Sequence, residues 1–367
     1  MVEKTIHLVA AARPNFMKVA PLYRALSSST WCRPQVVHTG QHYDYNMSAA
    51  FFADLGLPDP AAHLGVGSGA HGEQIGRCLM AYEQLISDGQ RPDAVVVVGD
   101  VNSTLACGLV ARRHGVFLVH LEAGLRSLDR DMPEEQNRIL TDQLSDLLWT
   151  PSPDGDGNLA REGVDPKRVE RVGNIMIDSL EMMRPSVESR RTWAELGLEH
   201  GAYGVVTLHR PNNVDDPQTL AKLADALVHT ATRLPLVFPV HPRTRARLEH
   251  NDLLDRLVQA QGIKLVDPLG YLDFMSLVFA SRLVITDSGG IQEETTYLHL
   301  PCLTVRPSTE RPVTVELGTN RLVKVAQIEE AVERVLAGDW PHGQVPELWD
   351  GRTAQRCVDS LRRSLGR

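Results

Sequence analysis

Residues 94–100 read AVVVVGD, and this run of four valines followed by Gly-Asp decides the fold class. β-branched residues favour strands, and a strand that is apolar on both of its faces has to be covered on both. Parallel sheets meet that condition, because their crossover helices lie on both faces. The stretch therefore predicts a central strand of a doubly wound α/β fold.

Short apolar runs of the same kind recur along the chain and alternate with longer helical patterns. They are IHLVAA (6–11), QVVHTG (35–40), FLVHLE (117–122), RVERVGN (168–174), YGVVTLH (203–209), LVFPVH (236–241), KLVDP (264–268), LVITDSGG (283–290) and CLTVR (302–306). The series stops near residue 174 and resumes near residue 203, across a polar segment. We therefore predict two Rossmann-like parallel-sheet domains, residues 1–174 and residues 175–351, with a helix near 352–367 that packs back on the first domain.

The composition excludes several classes of protein. A net charge of −8 over 367 residues argues against a nucleic-acid partner. No apolar run approaches the roughly 20 residues that cross a bilayer, and no secretion signal opens the chain, so we expect no membrane contact and a cytoplasmic location. The five cysteines are far apart and form no C-x-x-C pair, which predicts neither a zinc site nor disulfides.

Polar residues follow many of the predicted strands, where a strand end has no structural need for them. They are Arg13, Gln41, His42, Asp100, Glu122, His209, His241 and Ser288 to Gly290. Ligands of doubly wound sheets bind outside the carboxyl ends of the strands. Because these residues occur in both halves of the chain, we expect the working site in a cleft between the two domains.

Four of the candidates could carry acid–base chemistry. Asp100 and Glu134 each have a structural alternative: Asp100 could cap the next helix, and Glu134 could form a capping box with Asp131. Glu122 has none, because it directly follows a buried strand and precedes Ala-Gly. His209 closes another apolar strand and could be satisfied locally, yet histidine changes charge near neutral pH. Together they make a plausible acid–base set.

The stretch TDSGGIQEETTYLHLP (286–301) predicts an anion site. It reads as a strand, then Ser-Gly-Gly, then a helix from Ile291. Glycines let the backbone approach a ligand, and the free N–H groups of a helix N-terminus favour phosphate. The alternative is a tight turn with Ser288 as helix cap. The parallel register favours the anion site, because it brings Arg306 and Arg311, which follow the next strand, beside Ser288.

The first strand leads into ARPNFMKVAP (12–21) without a G-x-G-x-x-G turn, so no NAD-type pyrophosphate site is predicted. Arg13 and Lys18 instead bring positive charge to the mouth of the sheet. Lys18 could also be an ordinary solvated lysine, whereas Arg13 sits at the strand end before Pro14.

Taken jointly, eight stretches resemble the UDP-N-acetylglucosamine 2-epimerase family, whose fold is the GT-B arrangement of two Rossmann-like domains. The stretches are ARPNFMKVAP, TGQH, VGDVNST, HLEAGLRS, MPEEQNR, VTLHRPNNV, TDSGGIQEE and TERPVTVELGTN, between residues 12 and 320. The resemblance implies a UDP-N-acetylhexosamine substrate, no cofactor, no metal and a homodimer.

The resemblance also implies roles for individual residues. The catalytic set would be Asp100, Glu122, Glu134 and His209. The nucleotide-sugar contacts would be Arg13, Lys18, His241, Tyr271, Ser288, Gly289, Gly290, Glu294 and Arg311, with Glu294 on the ribose hydroxyls and the Tyr271 loop facing uracil.

The chain departs from the family pattern at three places. Ala11-Ala12-Arg13-Pro14-Asn15 stands where Gly-Thr-Arg-Pro-Glu is usual, and Pro211-Asn212 stands where Arg-Glu is usual. Members that carry a second, activating substrate site have Gln at the position of Asp44, so activation by substrate is not expected here.

The implied reaction explains why such residues are needed. The C2 proton of a UDP-N-acetylhexosamine is not α to a carbonyl, so UDP has to be eliminated to a 2-acetamidoglucal and then re-added with a proton on the other face of C2. This requires acid–base groups and an anion site for the diphosphate. Three alternatives stay open: a hydrolysing epimerase, a GT-B glycosyltransferase and a catalytically silent nucleotide-sugar sensor.

Overall fold

The computed structural model describes residues 3–40, 52 and 55–366, with only the backbone of Arg13. Gln41, His42 and Asp44 lie outside the described residues. The chain forms two compact units, Met1–Met182 with Glu347–Arg367, and Met183–Pro346. None of the described helices is both long and apolar enough to cross a membrane.

The first unit is built on a seven-stranded parallel sheet with the order β3-β2-β1-β4-β5-β6-β7. Its strands are β1 (Lys4–Ala10), β2 (Cys32–His38), β3 (Ala62–His63), β4 (Ala94–Val98), β5 (Phe117–Leu121), β6 (Leu147–Thr150) and β7 (Val169–Arg171). β4 pairs with β1 and β5 and is buried along its whole length. The valine run therefore forms the central strand that it predicts.

Helices cover this sheet in the order expected of crossover connections. They are α1 (Arg13–Ser27), α2 (His71–Ser87), α3 (Asn102–Arg113), α4 (Pro133–Leu144), α5 (Pro153–Arg161) and the start of α6 (Ile175–Arg190). A final helix, α16 (Thr353–Ser364), belongs to the same unit and packs against α1. The buried Trp149 on β6 donates its indole N–H to Ser360 Oγ of α16 at 2.9 Å, and Asp178 accepts the backbone N–H groups of Thr353 and Ala354 at the start of that helix.

The second unit is built on a six-stranded parallel sheet with the order β10-β9-β8-β11-β12-β13. Its strands are β8 (Gly204–Thr207), β9 (Leu236–Pro239), β10 (Ile263–Val266), β11 (Leu283–Thr286), β12 (Cys302–Thr304) and β13 (Asn320–Leu322). Its helices are the end of α6 (Ile175–Arg190), α7 (Thr192–Glu195), α8 (Pro211–Val214), α9 (Pro217–Ala231), α10 (Pro242–His250), α11 (Leu254–Gln259), α12 (Tyr271–Phe279), α13 (Gly289–Tyr297), α14 (Pro312–Glu316) and α15 (Ile328–Leu336). Its core packs buried strand residues such as Val206, Phe238 and Ile285 against α9 and α15. The predicted fold class of two parallel-sheet domains is therefore confirmed.

Strand register brings the polar residues of each unit to one sheet edge. In the first unit Val98 of β4 pairs with Leu121 of β5, so Asp100 and Glu122 follow neighbouring strands. In the second unit Thr207 of β8 pairs with Thr286 of β11, so His209 and Ser288 do the same. Each unit thus carries a cluster of candidate residues at the carboxyl ends of its central strands.

Candidate functional site

Glu122 is the most unusual carboxylate of the first unit. It is 4% exposed and adopts φ +70°, a left-handed conformation that non-glycine residues rarely take. Its Oε2 forms an ion pair with Lys18 Nζ, whereas its Oε1 is buried without a hydrogen-bond partner among the described residues. A buried unpaired carboxylate oxygen is costly, so this geometry fits a site that a ligand or water completes. Lys18 is a buried ion-pair partner, and its alternative as a solvated lysine is wrong.

Gly99 explains how Lys18 and Glu122 come so close to the end of β4. It adopts φ +67°, and a Cβ built on it would lie 3.3 Å from Lys18 Nζ and 3.5 Å from Glu122 Oε2. Glycine is therefore required here for its backbone conformation and for space.

Asp100 faces an arginine that the sequence analysis did not single out. Its Oδ2 accepts hydrogen bonds from Arg138 Nε at 3.1 Å and from the terminal nitrogen Nη2 at 2.6 Å. Val101, and not Asp100, occupies the N-cap position of α3, and the Val101 side chain forms no capping bond. Asp100 is therefore not the N-cap residue of that helix.

The first turn of α4 carries Glu134 and Glu135. Met132, and not Asp131, occupies the N-cap position and its side chain forms no capping bond, so the capping-box alternative for Asp131 and Glu134 is wrong. The reason is that Pro133 fixes the first helical residue one position later than the pattern assumed. Glu134 is half-buried on the first turn, where its role as an acid–base group stays a prediction.

Glu135 has a structural role that the sequence did not reveal. It is 1% exposed and accepts the backbone N–H groups of Ser127 and Leu128 at 2.9 and 3.0 Å. It also accepts a hydrogen bond from Arg138 at 2.6 Å. Arg138 therefore joins Glu135 to Asp100, and its only sequence signal was its place in MPEEQNR.

A buried polar network lies under these strand ends. His120 of β5 contacts Asp142 of α4 through Nδ1 at 2.6 Å. Asp142 also accepts hydrogen bonds from Arg126 and from the Gly124 N–H. Burial alone would raise the pKa of the Asp142 carboxyl, but His120 and Arg126 outweigh it and lower that pKa. The network holds Asp142 ionised inside the fold.

In the second unit, His209 is held by the fully buried Asp287. Both carboxylate oxygens of Asp287 lie within 3.1 Å of the His209 backbone N–H, and His209 Nδ1 lies 3.2 Å from Asp287 Oδ1. Asp287 accepts further bonds from the Arg210 N–H and the Asn213 amide. Burial, with His241 and nearby arginines, lowers the pKa of His209, and Asp287 opposes that shift. The ring is therefore anchored from the Nδ1 side.

The Ser-Gly-Gly turn leads into α13 as expected, although the helix begins at Gly289 and not at Ile291. Ser288 occupies the N-cap position without a side-chain capping bond, so its hydroxyl does not satisfy the helix end. A Cβ on Gly289 would lie 2.8 Å from Glu310 Oε1, which shows how closely the neighbouring loop approaches. The first turn of α13 keeps N–H groups available for an anion.

Three arginines surround this helix terminus. Arg306 and Arg311 pair with the buried Glu310 at 2.8 and 3.0 Å, and Arg210 lies 3.8 Å from the same carboxylate. Burial would raise the pKa of Glu310, but the arginines hold that pKa well below its usual range. Burial, together with Arg306, lowers the pKa of Arg210. This excess of crowded cations favours an anionic ligand. Arg311 lies at the predicted anion site, but it also forms an ion pair with Glu293 at 2.9 Å, which partly neutralises its positive charge.

Glu294 lies one turn further along α13. It is 2% exposed, and its Oε1 accepts a hydrogen bond from Tyr271 Oη at 2.7 Å. Burial and the neighbouring Glu293 raise the pKa of Glu294 to about 7, while the Tyr271 hydrogen bond opposes that rise. Tyr271 and Glu294, two of the predicted nucleotide contacts, are therefore direct neighbours.

His241 has a local role in addition to its predicted one. Its Nδ1 accepts the Arg243 N–H at 3.2 Å and caps α10. Its ring centroid lies 5.4 Å from that of His209. The side chain of Arg13 lies outside the described part of the chain, so its predicted contact stays a prediction.

Comparisons with known proteins point in one direction. The family described as UDP-N-acetylglucosamine 2-epimerase matches residues 24–362. The UDP-N-acetylglucosamine 2-epimerase of Methanocaldococcus jannaschii is 40% identical over 97% of this chain and 98% of its own. The UDP-2,3-diacetamido-2,3-dideoxy-D-glucuronate 2-epimerase of Pseudomonas aeruginosa is also 40% identical, over 87% of this chain and 88% of its own.

A solved structure supports the same relationship. The crystal structure of the Methanocaldococcus jannaschii enzyme in complex with UDP-GlcNAc and UDP has a TM-score of 0.86 and 37% sequence identity, covering 98% of this chain and 99% of that chain.

Proposed function

The chain belongs to the UDP-N-acetylglucosamine 2-epimerase family, and from this premise we propose that it interconverts UDP-N-acetylglucosamine and UDP-N-acetylmannosamine by eliminating and re-adding UDP. The observation that supports this most is the pair of carboxylates at neighbouring strand ends. Glu122 has a buried oxygen without a partner in the described part of the chain, and Asp100 pairs with Arg138. Such a pair suits a reaction that removes a proton on one face of a carbon and returns one on the other.

In the first step one carboxylate removes the C2 proton while the bond from C1 to the UDP oxygen breaks. The electron pair of the C2–H bond forms the C1=C2 double bond, and UDP leaves with the electrons of the C1–O bond. The products are 2-acetamidoglucal and UDP. A positioned general base contributes on the order of 10²- to 10⁴-fold to such a step.

In the second step a protonated group delivers a proton to the other face of C2, and a diphosphate oxygen of UDP attacks C1. Asp100 and Glu122 are the proposed proton-transfer pair, with Glu134 as the third carboxylate and His209 as the acid–base group of the second unit. Retention of UDP near the glucal makes the sequence reversible and prevents water from capturing the intermediate.

We assign the leaving UDP to the second unit. The diphosphate would bind the N-terminus of α13 at Ser288 to Gly290, with Arg210 and Arg306 nearby. The ribose would lie at Glu294 and the uracil near Tyr271. Fixed cations and helix N–H groups stabilise the charge that develops on a departing diphosphate.

The Pseudomonas relative gives a second candidate substrate. That enzyme is named for a UDP-2,3-diacetamido-2,3-dideoxy-D-glucuronate and is as similar to this chain as the archaeal relative is, at 40% identity. The same elimination and re-addition at C2 would serve both sugars. The substituents at C3 and C6 then decide the substrate.

The test is to incubate the purified protein with each UDP-sugar in heavy water and follow the products by proton NMR. Epimerised UDP-sugar with deuterium at C2 supports the proposal, and recovered substrate should also carry deuterium because the step is reversible. Free N-acetylmannosamine formed at the rate of turnover would indicate a hydrolysing epimerase. Sugar transfer that requires an added acceptor, with no C2 exchange, would indicate a glycosyltransferase.

We also propose that the protein is a homodimer. Met80 on α2 is 68% exposed and Leu140 on α4 is 50% exposed, although both are large apolar residues. Between α2 and α3 lies a groove of about 230 Å³, lined by Leu79, Met80, Glu83, Leu109, Val110 and Arg113. Exposed apolar side chains beside such a groove favour contact with a second copy.

A further inference from the structure

A buried histidine lies beside the proposed proton-transfer pair without a role in the steps above. His120 is fully buried on β5, two residues before Glu122. Its Nε2 lies 2.8 Å from the Gly99 carbonyl oxygen, and its Nδ1 lies 2.6 Å from Asp142 Oδ1. Both ring nitrogens therefore have a close polar partner.

Both partners are hydrogen-bond acceptors. A backbone carbonyl has no proton to give, and an ionised carboxylate has none either. Asp142 is kept ionised by Arg126, whose Nη2 donates to Asp142 Oδ2 at 2.7 Å, and by the Gly124 N–H at 3.1 Å. Both ring nitrogens of His120 therefore face hydrogen-bond acceptors, Asp142 on one side and Gly99 on the other.

The two partners of this ring, and the Gly124 N–H that binds Asp142, belong to the three segments that carry the candidate carboxylates. Gly99 directly precedes Asp100, and Gly124 lies two residues after Glu122. Asp142 lies on α4, whose first turn carries Glu134 and whose Arg138 binds Asp100. One buried group thus connects the ends of β4 and β5 with α4.

We propose that His120 is a positioning residue of the epimerisation: through Gly99 and Asp142 it fixes the distance and orientation between Asp100 and Glu122. The inference rests on the proposed function. It has a physical reason, because Glu122 adopts a left-handed backbone conformation that is unfavourable for a non-glycine residue, and surrounding contacts must hold it in place. A displacement of about 1 Å at reacting groups lowers rates on the order of 10²-fold.

Two substitutions separate the bonds of His120. In His120→Asn the amide nitrogen stands near the place of Nδ1, so the contact to Asp142 is kept and the one to Gly99 is lost. In His120→Gln the amide nitrogen reaches toward the place of Nε2, so the bond to Gly99 is kept. The rate of C2 deuterium exchange, kcat and KM are measured for both.

We expect His120→Asn to lower kcat and C2 exchange roughly 10- to 100-fold while KM and UDP affinity change less than about threefold. His120→Gln should recover a large part of that loss, because it restores the Gly99 hydrogen bond. A general loss of structure would lower both variants alike and would also change UDP binding.

His7 supplies a matched control. It is also a buried strand histidine, 1% exposed on β1, and its Nδ1 contacts Tyr82 Oη at 3.0 Å. It lies in the middle of its strand and not at the site. His7→Asn should lower the thermal midpoint without lowering kcat.

A His120→Asn variant with wild-type kcat overturns the positioning role even when the wild type is a working epimerase. Absence of C2 exchange by the wild type with either sugar defeats the proposed function itself, and this inference with it.

Discussion

At the scale of single residues, the sequence located the unusual carboxylates but not what holds them. Glu122 stood out because no cap or surface explains a carboxylate directly after a buried strand. Arg138 and Asp287 were missed because their partners, Asp100 and His209, lie far away along the chain and meet them only through the sheet. A pairing of this kind has no local pattern that a single sequence could reveal.

Removal of either proposed proton-transfer group should affect turnover far more than binding. We expect Asp100→Asn and Glu122→Gln to lower kcat at least about 100-fold, the lower range for a general acid or base. UDP affinity should change little, since UDP is assigned to the second unit. Kinetics and calorimetry measure both quantities, with Glu73→Gln, an exposed carboxylate of α2, as the control. Loss of UDP affinity equal to the loss of kcat would contradict the assignment.

Glu294 should contribute to nucleotide binding. We expect Glu294→Ala to weaken UDP binding by roughly 1.5 to 3 kcal/mol, the range for hydrogen bonds to a charged group. Calorimetric titration with UDP measures the effect, and Glu329→Ala on the surface of α15 serves as the control. An unchanged affinity for UDP would show that Glu294 does not bind the ribose.

The same residue should make stability depend on pH. Burial is the main reason that the pKa of Glu294 in the folded state is raised to about 7. The protonated form therefore stabilises the fold. This contribution is fully present below the pKa of Glu294 in the unfolded chain and is lost as the pH rises through about 7. In the wild type, the unfolding free energy should therefore fall by up to about 3 kcal/mol between pH 5 and pH 8. Glu294→Gln should abolish this decrease. Denaturant unfolding at several pH values is the measurement. Parallel pH curves for wild type and variant would show that Glu294 titrates normally.

At the scale of helices and strands, most of the strands were predicted and three short ones were not. The strands β3, β6 and β13 were missed, because runs as short as LLWT (147–150) directly after a helix look like part of that helix. The start of α4 was misplaced by one residue, since a Pro at the first helical position outweighed the Asp-x-x-Glu pattern. The burial of β4 followed from its run of valines, since a parallel sheet is covered on both faces.

The turn after β4 should be unusually sensitive to a methyl group. Gly99→Ala adds strain at φ +67° and a Cβ 3.3 Å from Lys18 Nζ, so we expect it to lower both unfolding free energy and kcat. Gly163→Ala is the matched control, because Gly163 adopts φ +76° with nothing within 4 Å of the added Cβ. The control should lose about 1 kcal/mol from backbone strain alone and keep its kcat. Equal kcat for the two variants would show that the Lys18–Glu122 pair tolerates displacement.

At the scale of the whole molecule, the two sheets and their helices were predictable because apolar periodicity marks every large element. The sequence predicted that a helix near 352–367 packs on the first domain, but it did not reveal a contact that holds this helix, the hydrogen bond from the indole of Trp149 to Ser360. Neither side chain reveals the other in the sequence.

The proposed homodimer gives a prediction at this scale. Met80→Glu places a charge on an exposed apolar side chain beside the α2–α3 groove and should shift the protein toward the monomer. Light scattering after size exclusion measures the mass. Leu317→Glu, at another exposed apolar residue that belongs to the second unit, should leave the mass unchanged. A monomeric wild type would reject the homodimer.

The return of the chain to its first unit has a consequence for synthesis. The second unit is inserted between α6 and α16, so the ribosome makes all of it before the last helix of the first unit appears. Until then the buried indole of Trp149 and the carboxylate of Asp178 lack their α16 partners. The second unit can therefore finish folding on the nascent chain while the first, begun earlier, waits for α16.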